Sequence, residues 1–377
     1  MSKLKIIECP RDAMQSIKKF IPTEKKIKYV QSLLEVGFDT IDVGSFVSKK
    51  VIPQLKDSGD VINSLDLKDK KTKLLVIVAN IKGAEISSEF NKISYVGYPF
   101  SISENFQMRN TNKTIDESFS NLALINEIVS SSQKKLVIYL SMCFGNPYGE
   151  VWNLGIIDHW ISKLIESGIK LISLSDTIGS ASPEMINEVY KYFSLKYPSV
   201  EFGLHLHTHP NSWREKIDFS FNAGCRRIDG AIQGFGGCPM ASDNMTGNMP
   251  TEKIISFCEE KGIDSGINPI KFESAYNYIW LHKHMIALND EYKKRYNHTK
   301  NHVTIDKLGE ILKYPPKNAK YNKIATDPQP AMPEHCKIPG DAVASYRKYY
   351  IMEKRRFATW KSPAKVPEWY IEGVKHA

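Results

Sequence analysis

An eightfold alternation constrains this chain more than any other feature. Over residues 1–265, short runs rich in Val, Ile and Leu are each followed by a longer polar or amphipathic stretch. The expected strands are Lys5–Cys9, Thr40–Val43, Leu74–Ala79, Ile93–Gly97, Leu136–Ser141, Leu171–Ser175, Phe202–His207 and Arg227–Ile232. Helical patterns cover Thr23–Val36, Ile115–Ser130, Ile156–Ser167, Pro183–Lys191, Ser212–Ala223 and Thr251–Lys261. Thr23 with Lys26, Ser182 with Pro183, and Pro250 with Thr251 and Glu252 supply helix-entry chemistry, while Gly37, Gly168 and Gly224 sit where helices should stop. A strand that must cross a helix before the next strand pairs in parallel, so the pattern predicts an α/β fold, a closed (β/α)8 TIM barrel. An open doubly wound sheet is the rival, but no Gly-rich phosphate loop follows the first strand.

The alternation stops near residue 268, and the charge changes there too. From residue 269 onward, 20 Lys and Arg face 11 Asp and Glu, whereas the preceding residues carry 31 of each. The whole formal charge of +9 therefore belongs to the last stretch. Fifteen of the forty aromatic residues fall there as well, more than a disordered tail needs. We read 1–267 as the barrel and 268–377 as a small, mainly helical domain, with helices over Glu273–Arg295 and Asp341–Trp360. Interleaved basic and aromatic residues could contact nucleic acid by phosphate contacts and stacking. The plainer reading, which we prefer, is a folded domain with an aromatic core and a lysine-covered surface. No apolar run is long enough to span a membrane, and the opening residues lack a secretory pattern. Six cysteines without a CxxC pair read as reduced thiols, so a cytoplasmic protein is expected.

In parallel barrels chemistry sits at the carboxyl ends of the strands. Here the first strand ends in Cys9-Pro10-Arg11-Asp12, the second in Asp42-Val43-Gly44-Ser45, the sixth in Ser175-Asp176-Thr177 and the seventh in His205-Leu206-His207. Residues two apart on a strand share a face, so His205 and His207 can offer both imidazoles to one ion. Asp12 can add a carboxylate oxygen and Asn248 a carbonyl oxygen. Two nitrogens with hard oxygens suit an octahedral divalent ion, Mg2+ or Mn2+. Without Asp12 the histidine pair would read equally well as two packed, hydrogen-bonded rings.

At these segments the chain resembles the 3-hydroxy-3-methylglutaryl-CoA lyases of the DRE-TIM metallolyase superfamily. The matching pieces, in family order, are ECPRDAMQ (Glu8–Gln15), GSFVSKKVIPQ (Gly44–Gln54), FGNPYGE (Phe144–Glu150), LSDTIGSASP (Leu174–Pro183), HLH (His205–His207) and GFGGCPMASDNMTGN (Gly234–Asn248). The resemblance implies cleavage of an acyl-CoA thioester to acetyl-CoA and acetoacetate, as in leucine degradation. It implies metal ligation by Asp12, His205, His207 and Asn248, enolate stabilisation by Arg11, and proton transfer by the loop thiol Cys238, with His205 and Asp12 counted among the catalytic groups. It places Gln15, Asp42, Ser45, Tyr139, Asp176 and Thr177 along the substrate and Glu8 in support; a homodimer is a further expectation.

Three positions depart from the family pattern. Ala13 replaces the usual glycine after Arg11-Asp12, Thr208-His209-Pro210 stands where many members have Asp-Thr, and Val137 stands where many carry arginine. His209 reads as an exposed loop residue. Two other readings stay open: a condensing acyltransferase of the same superfamily, and a nucleic-acid-binding protein that retains a retired barrel.

Overall fold

A computed structural model describes residues 3–15, 17, 19–209, 212–237 and 246–278. Eight parallel strands close a barrel in chain order: β1 Lys5–Glu8, β2 Thr40–Ser45, β3 Lys73–Ile77, β4 Ile93–Ser101, β5 Lys135–Ser141, β6 Leu171–Asp176, β7 Glu201–Leu206 and β8 Arg227–Gly230. Each pairs with its sequence neighbour, and β8 pairs with β1, Glu8 lying opposite Gly230. This is the TIM barrel that the alternation predicts.

Among the described residues, the α-helices that fill the connections and follow β8 are α1 Pro10–Gln15, α2 Thr23–Leu34, α3 Ser58–Ser64, α4 Ile81–Ser88, α5 Glu104–Thr111, α6 Ile115–Ser131, α7 Leu154–Glu166, α8 Pro183–Lys196, α9 Trp213–Asn222 and α10 Thr251–Lys261. Their starts show the sequence chemistry unevenly. Ser182 accepts the Met185 N–H and Thr114 forms a full capping box with Glu117, each the kind of cap worth about 1 kcal/mol. Thr23 caps nothing; its hydroxyl donates to Asp57 instead.

The fold is held by two apolar layers. Leu75, Tyr95, Val137 and Leu171 fill the barrel interior, with Ile77 and Tyr139 packed on them. Outside, Leu33, Ile125, Ile161, Val189 and Phe257 are buried on the helices. Each such side chain contributes about 1.5–3 kcal/mol on leaving water.

β4 runs four residues further than the sequence pattern suggested. Pairing with β3 ends at Gly97, so Pro99 lies where only β5 flanks the strand and the missing N–H is tolerated as at a sheet edge. Tyr98 and Phe100 on this extension are fully buried. Gly97 itself makes room inside the barrel: a Cβ there would lie 2.9 Å from the Tyr139 ring. Cys238 and residues 279–377, including nearly all of the basic carboxyl-terminal unit, lie outside the described residues. Among the described residues no helix is long and apolar enough to cross a membrane.

Candidate metal centre and active site

At the end of β1 the chain turns directly into α1, and one helical turn sets Arg11, Asp12 and Gln15 side by side. Arg11 donates through Nε and Nη2 to Asp42 Oδ2, at 2.9 and 2.6 Å, and through Nη1 to Asp12 Oδ1 at 3.0 Å and Gln15 Oε1 at 2.9 Å. Gln15 returns a bond to Asp12 Oδ1 at 2.7 Å. Burial works against the Arg11 charge, but Asp42 and Asp12 hold the guanidinium protonated. The cost falls on Asp42, which burial lifts to about 6 despite the pull of Arg11. Asp12 goes the other way: burial raises it, yet Arg11, the two imidazoles and Asn248 outweigh burial and hold it below the ordinary carboxylate range.

Alternation along β7 and just beyond it turns His205 and His207 to the same side, with ring centroids 5.3 Å apart. One ligand atom from each of Asp12, His205 and His207 lies within 4.8 Å of the other two. The loop after β8 brings in the fourth group. Residue 248 forms an antiparallel bridge with His207, fixed by Thr208 N–H to Gly247 O and Met249 N–H to Leu206 O, both 2.9 Å. The Asn248 amide nitrogen donates to Asp12 Oδ2 and to Phe235 O, which leaves its oxygen as the group it can offer an ion.

The two histidines differ in a way that suits a metal. His205 Nδ1 lies 3.1 Å from Asp229 Oδ2, a carboxylate–imidazole pairing that leaves the other ring nitrogen to the cluster. Burial opposes protonation of His205, but Asp229 more than compensates and raises its affinity for a proton. Burial, and then the charge of His205, pushes His207 down to about 4, so its ring is neutral. Its Nδ1 is buried without a hydrogen-bond partner among the described residues. Buried polar atoms normally find partners, and a neutral imidazole nitrogen is a metal ligand as it stands. The donor set of two imidazoles, a carboxylate and an amide oxygen fits a divalent ion.

The glycine-rich loop has a steric reason. At Gly236, with φ +96°, a Cβ would sit 2.6 Å from Asn248 Nδ2 and 2.8 Å from Asp12 Oδ2. The backbone passes against two of the candidate ligands, and Gly237 N–H donates to Asp12 Oδ2 at 3.2 Å.

The other sequence-derived residues divide. Tyr139 lies on the inner wall, its ring edge-on to His205 at 5.7 Å. Ser45 donates to Ile77 O and accepts from Val47 N–H, shaping the turn after β2. Thr177 accepts from Met142 N–H, and Asp176 is engaged by Lys216 and the Ala181 N–H. Glu8 points away from the centre, its carboxylate bonded to Ile232 N–H and Thr251 Oγ1 beneath the start of α10. Val137 is an interior apolar residue, but the same layer receives a cation from β8: Arg227, 1% exposed, stands 5.5 Å over the Tyr95 ring and 4.0 Å from Asp39. Cys9, 1% exposed, joins His205 and Asp229 in a second tight cluster, and burial pushes its thiol well up.

Asp229 and Lys216 escaped sequence reasoning. An aspartate two residues after Arg227 in the short, fully buried strand β8 was the available signal for Asp229, and its register places it beside His205. Lys216 carried none, because a lysine in a charged helix reads as solvated.

The barrel region is similar to known proteins in sequence and in fold. Residues 3–279 match the family model described as HMGL-like. The hydroxymethylglutaryl-CoA lyase of Bacillus subtilis is 31% identical over 270 residues, 72% of this chain and 89% of that protein. The human mitochondrial hydroxymethylglutaryl-CoA lyase is 29% identical over 280 residues, 74% of this chain and 85% of its own length. The crystal structure of a Bacillus subtilis HMG-CoA lyase superimposes with a TM-score of 0.69 at 31% identity, covering 74% of this chain and 93% of that one. An HMG-CoA lyase from Acinetobacter baumannii, in complex with coenzyme A and 3-methylmalate, gives 0.68 at 28% identity, covering 73% and 90%.

Proposed function

The chain belongs to the HMGL-like family, and from that premise we propose a divalent-metal-dependent carbon–carbon lyase acting on 3-hydroxy-3-methylglutaryl-CoA or a close 3-hydroxyacyl-CoA. The products in the first case are acetyl-CoA and acetoacetate. The observation that carries this reading is the meeting of Asp12, His205 and His207 within 4.8 Å, with the neutral His207 Nδ1 buried and without a hydrogen-bond partner among the described residues. The complex of the Acinetobacter baumannii lyase with coenzyme A supports a thioester substrate.

Asp12, His205, His207 and the Asn248 oxygen would hold Mg2+ or Mn2+, which acidifies the substrate hydroxyl and polarises its oxygens when bound. Cleavage would pass the hydroxyl proton to a basic side chain of the site, break the C2–C3 bond as C3 becomes the ketone carbon of acetoacetate, and leave the bonding pair on the thioester as an enolate. Arg11 answers that charge. Asp42 and Gln15 fix its plane, and of its five N–H groups one on Nη2 is uncommitted among the described residues. Pre-aimed positive charge of this kind is usually the largest single contribution to catalysis. Cys238 is assigned the proton that converts the enolate to acetyl-CoA.

The test is turnover by the purified full chain with 3-hydroxy-3-methylglutaryl-CoA and Mg2+, read as acetoacetate. Activity is expected to vanish in EDTA, to return with Mg2+ or Mn2+, and to fall by more than about 100-fold in His207→Ala, beyond the usual effect of losing an outer partner. Turnover that persists in excess chelator refutes the proposal. Condensation of acetyl-CoA with an oxo acid, in place of cleavage, moves the chain to the acyltransferases of the superfamily.

A further inference from the structure

Lys216 lies in α9 and is only 3% exposed. Its Nζ donates to three acceptors on the two neighbouring strand ends: Asp176 Oδ2 at 2.8 Å, His207 O at 2.9 Å and Gly179 O at 3.0 Å. A lysine ammonium has three protons, so all three are spent. Asp176 in turn accepts the Ala181 N–H through its carboxylate, and its own carbonyl accepts the His207 N–H at 3.4 Å. The peptide groups on both sides of the His207 side chain are thereby tied to one ammonium–carboxylate pair.

The clamp extends to the opposite ligand. Gly179, whose carbonyl Lys216 holds, approaches Thr246 so closely that a Cβ on it would lie 2.6 Å from Thr246 Cγ2. Thr246 Oγ1 donates to Ile178 O at 3.2 Å. Thr246 stands two residues before Asn248. One buried cation thus braces both the strand end that carries His207 and the segment that carries Asn248.

Stability alone does not explain such a residue. Desolvating a lysine and an aspartate together costs about as much as their attraction returns, and a well-packed apolar pair is often as stable. What the ammonium adds is direction, three bonds from one atom to three backbone or carboxylate oxygens. We propose that Lys216 is a positioning residue of the metal centre, setting the backbone from which His207 and Asn248 reach the ion. This rests on the metal reading of the site given above.

The experiment uses the full chain and Mn2+ alone, with free Mn2+ followed by electron paramagnetic resonance. Lys216→Met removes all three donors. Because it strands Asp176, the double variant Lys216→Met with Asp176→Asn is measured beside it and decides the matter if the single variant does not fold. The reference is a second buried pair on the other side of the barrel, Lys26 with Asp57 at 2.7 Å, altered in the same way (Lys26→Met with Asp57→Asn). Folding of each variant is checked by near-ultraviolet circular dichroism. The folded Lys216 double variant is expected to bind Mn2+ at least about 10-fold more weakly than wild type, with an altered spectrum of the bound ion, while the Lys26 double variant binds as wild type does. Wild-type affinity in the folded Lys216 double variant overturns the inference and leaves the metal reading intact. Failure of the wild-type chain to bind Mn2+ overturns both.

Discussion

Replacing Gly236 by alanine tests the candidate centre through its geometry, and the structure supplies its own control. Gly236 and Gly224 have nearly the same backbone angle, φ +96° and +100°, but nothing lies within 4 Å of a Cβ built on Gly224. An alanine at either position bears the strain of a positive φ, about 1–3 kcal/mol. Only Gly236→Ala adds contact, at 2.6 Å to Asn248 Nδ2 and 2.8 Å to both Asp12 Oδ2 and the Asp12 backbone oxygen, where ordinary contact begins at 3.4 Å. The two side chains must retreat by roughly 0.6–0.8 Å, several times the ~0.2 Å that metal–ligand distances tolerate. Both variants should therefore melt at lower temperature, and Gly236→Ala alone should bind Mn2+ about 10–100-fold more weakly. Thermal melts of the metal-free proteins and Mn2+ titration with resonance detection of the free ion measure the two effects separately. Equal loss of affinity in the two variants, or wild-type affinity in Gly236→Ala, would falsify the assignment of Asp12 and Asn248 as ligands.

Two further outcomes follow from the same geometry. Asp229→Asn removes the charge that orients His205 through Nδ1, and should weaken Mn2+ by about 10–100-fold with the secondary structure unchanged; an unaltered binding isotherm would show that His205 needs no such partner. Glu8 has its carboxyl raised from 4.5 to about 8, chiefly by burial. The folded state then binds a proton that the unfolded chain releases, so the stability tied to Glu8 is complete below pH 4.5 and is lost as pH rises through 8. Glu8→Gln, which keeps a neutral group against Ile232 and Thr251, should gain thermal stability relative to wild type between pH 5 and pH 9; parallel melting curves across that range would remove the basis for a protonated Glu8.

The barrel was legible because its signal is periodic and long-range neighbours are not needed to see it. All eight strands stand where β-branched runs place them, off by a few residues where a strand outlasts one of its partners, as β4 does. The short helices α1, α3, α4 and α5 were not read, although Asn80 and Ser103 do cap the last two. Six to eight residues give too few turns for an apolar face to repeat. At the site, His205 and His207 could be paired from alternation alone, and Asp12 from its place at the first strand end. Asp229 could not, since pairing it with His205 requires the β7–β8 register. Lys216 was hidden for a different reason: its helix carries Arg214, Glu215 and Asp218 around it, and only packing shows which charge faces inward.

The hydrogen bond between Asp12 and Asn248 spans 236 residues of sequence. During synthesis the carboxylate emerges first and waits for nearly the entire wall of the cylinder to be made before its amide counterpart exists. If the proposed ligand set is right, no fragment ending short of Asn248 would present all of it, and the ring would have to be sealed between its first and last staves before an ion found all its oxygens and nitrogens. Contacts so remote in sequence form late, because the chain loop between them is entropically expensive to close. On the proposed metal reading, capture of the cation would signal that the polypeptide has finished its circuit, and the ion would act as a rivet across the seam where the two ends of the sheet meet.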